Sequence, residues 1–167
     1  MKTKQETQER VRTFILDQGL RIVDEDFERP WGGFFVIHEE DTERFLRLFF
    51  SEEADELMSS GQKLSPKILV VEEGKRLSWQ YHDFRAELHK VLEGPVAYCL
   101  SETDEQNEPK EYGVGELIPI AQGMRHRLIG IKNSDWAVVA ETWKHTDPNR
   151  PSREDDIHRL DDDSGRK

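Results

Sequence analysis

Cysteine is almost missing from this sequence, which contains Cys99 and no other cysteine in 167 residues. A single thiol cannot form an internal disulfide, so the chain is not a disulfide-stabilised scaffold and its core alone must hold the fold. This usage is typical of a reducing compartment. Cys99 lies in the apolar run VAYCL, which predicts a buried, unreactive side chain rather than a nucleophile.

The sequence also lacks long hydrophobic runs and any surplus of basic residues. No run approaches the roughly 18 apolar residues that a membrane-spanning helix needs, and the segment MKTKQETQERVRTF lacks the apolar core of a signal peptide. The 24 Lys and Arg residues face 35 Asp and Glu residues, which gives a net charge of −11. Nucleic acids and anionic membranes repel such a chain, so we expect neither as a partner and expect a cytoplasmic protein. An anionic small molecule would need a locally basic pocket.

Helical periodicity is confined to the beginning of the chain. Residues 4–18 place Val11, Phe14 and Ile15 on one face at spacings of three and four, and Gly19 follows as a stop signal. The sequence therefore predicts one N-terminal helix.

Most of the remaining chain consists of short runs rich in β-branched or aromatic residues and bounded by turn signals. They are GGFFVI (32–37), RFLRLFF (44–50), KILVV (67–71), VAYCL (96–100), GELIPI (115–120), HRLIGI (126–131) and WAVVAETW (136–143). Many short strands without regular helices between them predict an all-β sandwich or barrel of antiparallel sheets.

Three polar segments interrupt this pattern. Residues 51–66 are predicted to form a short helix or a loop, and residues 101–111 an exposed hairpin loop. The last residues, 149–167, are so highly charged that composition alone predicts a frayed tail.

Four polar residues have the spacing of a metal site. Gln80 and His82 are two apart and would share one face of a strand, and a turn at 83–85 would bring Glu87 to the same side on the next strand. His126 supplies a fourth side chain after the bend at Gly123. Two imidazoles, a carboxylate and an amide oxygen predict a site for one divalent ion, namely Mn²⁺, Fe²⁺, Co²⁺, Ni²⁺ or Zn²⁺.

These residues also resemble the two-part motif of the cupins, G-x5-[Q/H]-x-H-x4-E-x6-G followed by G-x5-P-x-G-x2-H. The first part is matched in this sequence by Gly74, Gln80, His82, Glu87 and Gly94, and the second by Gly115, Gly123 and His126. Ala121 stands where the family prefers proline. The resemblance implies a small β-barrel of the double-stranded β-helix or jelly-roll type that holds a metal through Gln80, His82, Glu87 and His126.

Within the cupins the chain looks like the type II phosphomannose isomerases. The likeness is carried by the glutamine that begins the first motif and by RPWGGF (29–34), KILVVEEGKRLSWQYH (67–82) and REDDIHRLDDDSGR (153–166). It implies a cupin barrel at residues 28–167, with the tail packed on the barrel rather than frayed. Residues 1–27 and 51–66 lie outside the likeness, and residues 1–27 are predicted to be an N-terminal helical extension. The likeness also implies a homodimer.

The chain departs from that family beside the metal motif. Phe84 and Leu88 stand where the family often has further histidines, and His89 stands where it has an aromatic residue. The four predicted ligands are unaffected by these changes, whereas the side chains around them, which determine the choice of substrate, are altered.

The resemblance implies a metal-dependent aldose–ketose isomerase that interconverts sugar phosphates such as mannose 6-phosphate and fructose 6-phosphate. Glu87 and Arg85 are the predicted catalytic groups, and an imidazole or a water molecule is an alternative base. Substrate binding is predicted for Lys67, Arg85, Arg127 and His89, because a phosphate needs cations and guanidinium binds it with paired hydrogen bonds. Strand alternation, however, places Arg127 on the face opposite His126.

Other functions fit the same motif. An isomerase could act on another sugar, such as lyxose or a heptose phosphate. A cupin without catalytic activity could sense a sugar or metabolite, which the replacement of two family histidines at 84 and 88 favours. A cupin dioxygenase could bind Fe²⁺ through two imidazoles and a carboxylate, but the segments at 29–34 and 153–166 argue against it.

Overall fold

The computed structural model of the chain describes residues 1–132 and 135–166. Its helices are α1 (Lys4–Asp17), α2 (Thr42–Phe49) and α3 (Ala54–Ser59), with a 3-10 turn at Glu39–Asp41. Its strands are β1 (Ile22–Arg29), β2 (Gly32–Ile37), β3 (Leu64–Glu72), β4 (Trp79–Tyr81), β5 (Arg85–Glu93), β6 (Val96–Ser101), β7 (Lys110–Tyr112), β8 (Leu117–Ile120), β9 (Arg125–Gly130), β10 (Trp136–His145) and β11 (His158–Asp161).

The strands form two antiparallel sheets that face each other across an apolar interior. One sheet has the order β1-β2-β3-β10-β5-β8 and the other β11-β4-β9-β6-β7. Side chains from both sheets fill the space between them, among them Leu69 and Val139 from the first and Tyr98 and Leu128 from the second. The all-β architecture predicted from the sequence is therefore confirmed.

The outer face of the six-stranded sheet is covered by the three helices, which we call the helical layer. Along β3, Ile68 and Val70 face the helices while Leu69 and Val71 face the other sheet, as strand alternation requires. The helices contribute buried apolar side chains to that outer cluster, namely Val11, Ile15, Phe45, Leu46, Ala54 and Leu57. Within the described ranges, no helix is long and apolar enough to cross a membrane.

The run at 44–50 was predicted to be a strand, and this prediction is wrong because most of it belongs to α2. Its apolar residues recur with helical spacing. Phe45 and Leu46 are fully buried, and Phe49 follows one turn after Phe45, with ring centroids 5.1 Å apart. Three aromatic residues in seven suggested a strand, but burial on one side only is met equally well by a short amphipathic helix.

Two other boundaries differ from the expectations. The expected division between residues 27 and 28 falls inside β1, a strand that sequence patterning did not reveal and that already pairs with β2. The segment 51–66 contains the short helix α3, as predicted, but its last three residues already belong to β3. The predicted exposed loop is confirmed, since residues 102–110 are exposed.

The last described residues, 146–166, form what we call the C-terminal tail, and composition was wrong to predict that they fray. β11 pairs with β4, so that His158 lies opposite Tyr81 and Arg159 opposite Gln80. The tail extends the five-stranded sheet at the edge that carries the first half of the predicted metal motif.

Candidate metal and substrate site

The predicted metal ligands converge inside the barrel because of the strand register. Gln80 on β4 lies opposite His126 on β9, and residues directly opposite in an antiparallel pair share a face. Glu87 reaches the same space from β5 in the facing sheet, and His82 lies just after β4. His82, Glu87 and His126 are all buried, and one ligand atom from each lies within 4.8 Å of the others.

Backbone carbonyls fix the orientation of both imidazoles. Nδ1 of His82 lies 2.7 Å from the carbonyl oxygen of Asp156, and Nδ1 of His126 lies 3.0 Å from that of Met124. A carbonyl can only accept, so each Nδ1 carries the proton and each Nε2 presents a lone pair. Burial lowers the pKa of His82 to about 4, against the attraction of Glu87, so this imidazole is neutral.

The Glu87 carboxylate occupies the centre of this group. Its Oε2 lies 3.4 Å from Nε2 of His82, and its Oε1 lies 3.4 Å from Nε2 of His126. Burial would raise the pKa of Glu87, but the adjacent Arg85 guanidinium, together with a hydrogen bond from His89, holds it well below its usual range. The carboxylate is therefore ionised and available as a ligand.

The donor set fits a divalent cation. Nε2 of His126 is buried and has no hydrogen-bond partner among the residues described, and its lone pair faces a carboxylate oxygen. Such a contact between two acceptors is unfavourable unless a cation lies between them. Gln80 lies beside the group, but its Oε1 accepts from Ser78 and its Nε2 faces His82. It would join as a ligand only after its amide rotates by a half turn. Histidine and glutamate groups that can bind a metal are thus present.

Arg85 is also part of this site. Its Nε donates to Oε2 of Glu87 at 2.7 Å, and one terminal nitrogen lies 3.2 Å from Nε2 of His82. The other terminal nitrogen donates to Ser152 in the tail, and the guanidinium carbon lies 3.5 Å from the ring centre of Trp143. Arg85 thus joins the candidate ligands to the tail.

A second buried cluster of ionisable side chains lies next to the candidate metal ligands. It includes Glu141, which sequence patterning missed. Nε2 of His89 lies 3.0 Å from Oε1 of Glu87 and 2.9 Å from Oε2 of Glu141, while its Nδ1 lies 2.6 Å from the hydroxyl of Tyr98. Burial opposes a charge on His89, but hydrogen bonds to Glu141 and Glu87 outweigh it and raise its pKa to about 9. The one feature of the sequence that could have identified Glu141 is its charge, because it lies inside the apolar run WAVVAETW.

A partly open cavity lies between the sheets, with a volume of about 540 Å³ that includes its opening to solvent, and it has Gln80, Glu87 and Glu141 in its wall. Lys67, a predicted substrate-binding residue, is also in the wall, where it pairs with Glu154 of the tail. Its ammonium group lies 4.3 Å from the ring centres of both Phe34 and Trp143. The tail supplies four residues to the wall, Glu154, Ile157, Arg159 and Arg166.

Arg127 is not in the wall of this cavity, and its geometry argues against the predicted role in substrate binding. Its three guanidinium nitrogens donate to protein oxygens, namely the Leu77 carbonyl, Gln106 and both the carbonyl and carboxylate of Asp161. The side chain is fully buried. Alternation along β9 turns His126 inward and Arg127 outward, where it holds the tail.

Comparison with known proteins identifies the fold rather than a function. No protein-family model matches the sequence, and no curated protein matches it either. A capsular polysaccharide assembling protein, CapF from Staphylococcus aureus, superimposes with a TM-score of 0.53 at 16% identity over 85% of this chain and 34% of its own. Oxalate decarboxylase from Bacillus subtilis gives a TM-score of 0.56 at 13% identity, covering 82% of this chain and 30% of its own.

This chain thus spans about a third of the length of either structure. Likeness at such low identity concerns the fold alone. It agrees with the two facing antiparallel sheets. The chain therefore has the all-β cupin fold, with a helix at its N-terminus.

Proposed function

We propose that this protein is a metal-dependent aldose–ketose isomerase that acts on a sugar phosphate, of the phosphomannose isomerase kind. The observation that carries the proposal is the pair of inward-facing Nε2 lone pairs of His82 and His126, set around the Glu87 carboxylate in a half-open polar cavity. Two imidazoles and a carboxylate suit Mn²⁺, Fe²⁺, Co²⁺, Ni²⁺ or Zn²⁺. When bound, such an ion supplies Lewis acidity that acidifies the C–H bond next to a sugar carbonyl.

Isomerisation also requires a group that moves the proton between carbons 1 and 2. Glu87 is poorly suited to this role, because it belongs to the predicted ligand set and its Oε2 already accepts a hydrogen bond from Arg85 at 2.7 Å. Glu141 is better placed, since its carboxylate lies in the cavity wall outside the predicted ligand set. Hydrogen bonds with the Trp143 indole N–H and with His89 fix its orientation. We therefore assign proton transfer to Glu141 rather than to Glu87.

The second candidate function is a cupin that binds a sugar or metabolite without converting it. The position of Arg85 favours it, because this guanidinium lies against both His82 and Glu87 and holds them without a metal. The replacement of family histidines by Phe84 and Leu88 points the same way. An isomerase of lyxose or of a heptose phosphate is a further outcome of the same test.

The metal site is tested by His126→Ala. We expect the variant to remain folded and to lose at least nine-tenths of the bound ion, because one of the two imidazole donors is removed. Metal content is measured by elemental analysis after loading with Mn²⁺, Co²⁺, Ni²⁺ or Zn²⁺ and extensive dialysis. His158→Ala is the matched control, since His158 is exposed and bonded to Asp83. Full occupancy in the His126 variant would reject the site.

The reaction is tested by incubating the loaded protein in heavy water with aldoses, ketoses and their phosphates, while NMR follows deuterium entry at carbon 2. Exchange with one sugar would establish proton transfer and identify the substrate. Glu141→Gln should abolish exchange and retain the metal. An absence of exchange with every sugar, in protein that holds its ion, would favour the binding function.

A further inference from the structure

Four arginines lie in the wall of the cavity: Arg85, which donates to Glu87, and the three residues Arg29, Arg159 and Arg166. Arg29 ends β1, Arg159 lies on β11 and Arg166 is the last described residue of the tail, and all three are partly buried. They share this cavity with Gln80 and Glu87. A cluster of like charges is unusual in a chain whose net charge is −11, so it requires a physical explanation.

The register of the sheet determines where Arg159 points. Arg159 lies opposite Gln80, and Gln80 lies opposite His126. Side chains opposite each other on antiparallel strands share a face, so the three form one row across the inner face of the sheet. Arg159 therefore extends the row of candidate metal ligands towards the tail, on the same side as the cavity.

Arg159 differs from its two neighbours because its charge is not neutralised. Nε of Arg29 lies 3.0 Å from Oδ2 of Asp26, an ion-pair distance without the alignment of a hydrogen bond. Arg166 donates to both carboxylate oxygens of Asp162, at 2.9 and 3.2 Å. Arg159 makes no side-chain hydrogen bond or ion pair within residues 1–132 and 135–166, and its Nε is buried.

The energetics of Arg159 agree with this geometry. Burial, together with the neighbouring guanidiniums of Arg166 and Arg29, lowers the pKa of Arg159 from its ordinary value, although Asp162 opposes the shift. Lys67 cannot relieve the repulsion, because it is also a cation and already pairs with Glu154. A partly buried charge without a partner destabilises the free protein, and an anion bound beside it would reduce that cost.

We propose that Arg159, flanked by Arg29 and Arg166, binds a phosphate dianion at the cavity mouth. The Arg159 guanidinium presents parallel N–H groups that match two phosphate oxygens, and the flanking guanidiniums of Arg29 and Arg166 offer further N–H donors. The assignment of this dianion to a sugar phosphate rests on the proposed function, whereas phosphate recognition itself does not. The binding group is thus supplied by the tail, and it differs from the predicted Lys67, Arg127 and His89.

The test uses Arg159→Gln in the metal-loaded full chain. Calorimetric titration would measure the dissociation constants of inorganic phosphate, fructose 6-phosphate and fructose. We expect wild type to bind both phosphate compounds and the variant to bind them at least tenfold more weakly, as expected for lost hydrogen bonds to a charged group. Affinity for fructose and metal content should be unchanged. Arg47→Gln is the control, since it removes the same charge on α2, where Arg47 pairs with Asp55.

Thermal unfolding gives a second readout that a purely structural arginine would not produce. Without ligand, Arg159→Gln should leave the Tm unchanged or raise it by up to about 2–4 °C, because a partly buried charge without a partner is removed. Phosphate should raise the Tm of wild type and of Arg47→Gln, and much less that of Arg159→Gln.

Three results would overturn the proposal: a wild-type protein that binds neither phosphate compound, an Arg159 variant that binds them as wild type does, or an equal loss in Arg47→Gln. These results are distinct from failure of the isomerase. Phosphate binding that depends on Arg159, without deuterium exchange, keeps the anion site and rejects the enzyme. Deuterium exchange into a sugar phosphate that Arg159→Gln leaves unaffected would keep the enzyme and reject the anion site.

Discussion

The helical layer and the C-terminal tail both cover the barrel, but they are attached by opposite kinds of contact. The helical layer packs on the outer face of the six-stranded sheet through fully buried apolar side chains such as Val11, Ile15 and Phe45. The tail is attached through hydrogen bonds and ion pairs. Apolar burial is non-directional and stabilises the fold as a whole, whereas hydrogen bonds also fix orientation.

The tail's contacts end at residues of the site. The Asp156 carbonyl orients His82, the Ser152 hydroxyl accepts from Arg85, and Glu154 pairs with Lys67. None of the helical-layer side chains in the outer apolar cluster belongs to the described wall of the cavity. The layer therefore serves stability, and the tail serves the geometry of the site.

The largest effect on stability should come from the helical layer. Phe45→Ala removes a fully buried ring that packs against Phe49 and Phe50, and should lower the free energy of unfolding by about 3–5 kcal/mol. Urea denaturation measures this loss. Metal occupancy of the molecules that remain folded should equal that of wild type; reduced occupancy would contradict the separation of roles. Leu48→Ala, on the exposed side of α2, is the control and should cost less than about 1 kcal/mol.

An intermediate effect should follow from releasing the tail at Arg127. Arg127→Met removes hydrogen bonds to Leu77 and Asp161 and should cost about 2 kcal/mol. Unlike Phe45→Ala, it should also weaken phosphate binding, because the tail carries Arg159. Arg125→Met is the neighbouring control, since Arg125 pairs with the exposed Asp104 and should cost under about 1 kcal/mol. If phosphate affinity survived in Arg127→Met, the tail would not depend on this anchor.

The smallest effect is expected at Asp156, and it depends on pH. Burial would raise the pKa of Asp156, but hydrogen bonds from Ser152 and from the amides of Asp83 and Phe84 lower it. Its contribution is therefore complete above the unfolded-state value of about 4 and is lost as the pH falls through the lower folded value.

Asp156→Asn should cost about 1 kcal/mol at neutral pH and should lose less stability than wild type on acidification below about pH 4. Urea titrations at a series of pH values measure both quantities, and Asp155→Asn, at an exposed neighbour, is the control. Parallel pH profiles for wild type and Asp156→Asn would contradict this account.

The sequence predicts the parts of this molecule that depend on local periodicity. The alternation of KILVV and WAVVAETW reappears as the two-faced strands β3 and β10, and the spacing of Gln80, His82 and Glu87 brings these side chains together as expected. The strand predicted at residues 44–50 was wrong because seven residues are too few to distinguish helical periodicity from strand alternation.

Features that depend on long-range pairing could not be read from local patterns. Arg127 and Arg159 are both isolated arginines in charged or mixed segments, and only the register of β9 and β11 shows that one anchors the tail and the other faces the cavity. The role of Glu141 could not be predicted for a similar reason. Its partner His89 lies on the paired strand β5, and its other partner, Trp143, lies two residues further along β10.

The hydrogen bond between His82 and the Asp156 carbonyl has a thermodynamic consequence. A ligand bound at Nε2 of His82 polarises the ring and strengthens the hydrogen bond that Nδ1 donates to the tail. The bound ligand therefore stabilises the docked tail against detachment. By linkage, the docked tail raises the affinity of the site for that ligand by the same free energy. Occupancy of the site and resistance of residues 146–166 to proteolysis are therefore two readings of one equilibrium.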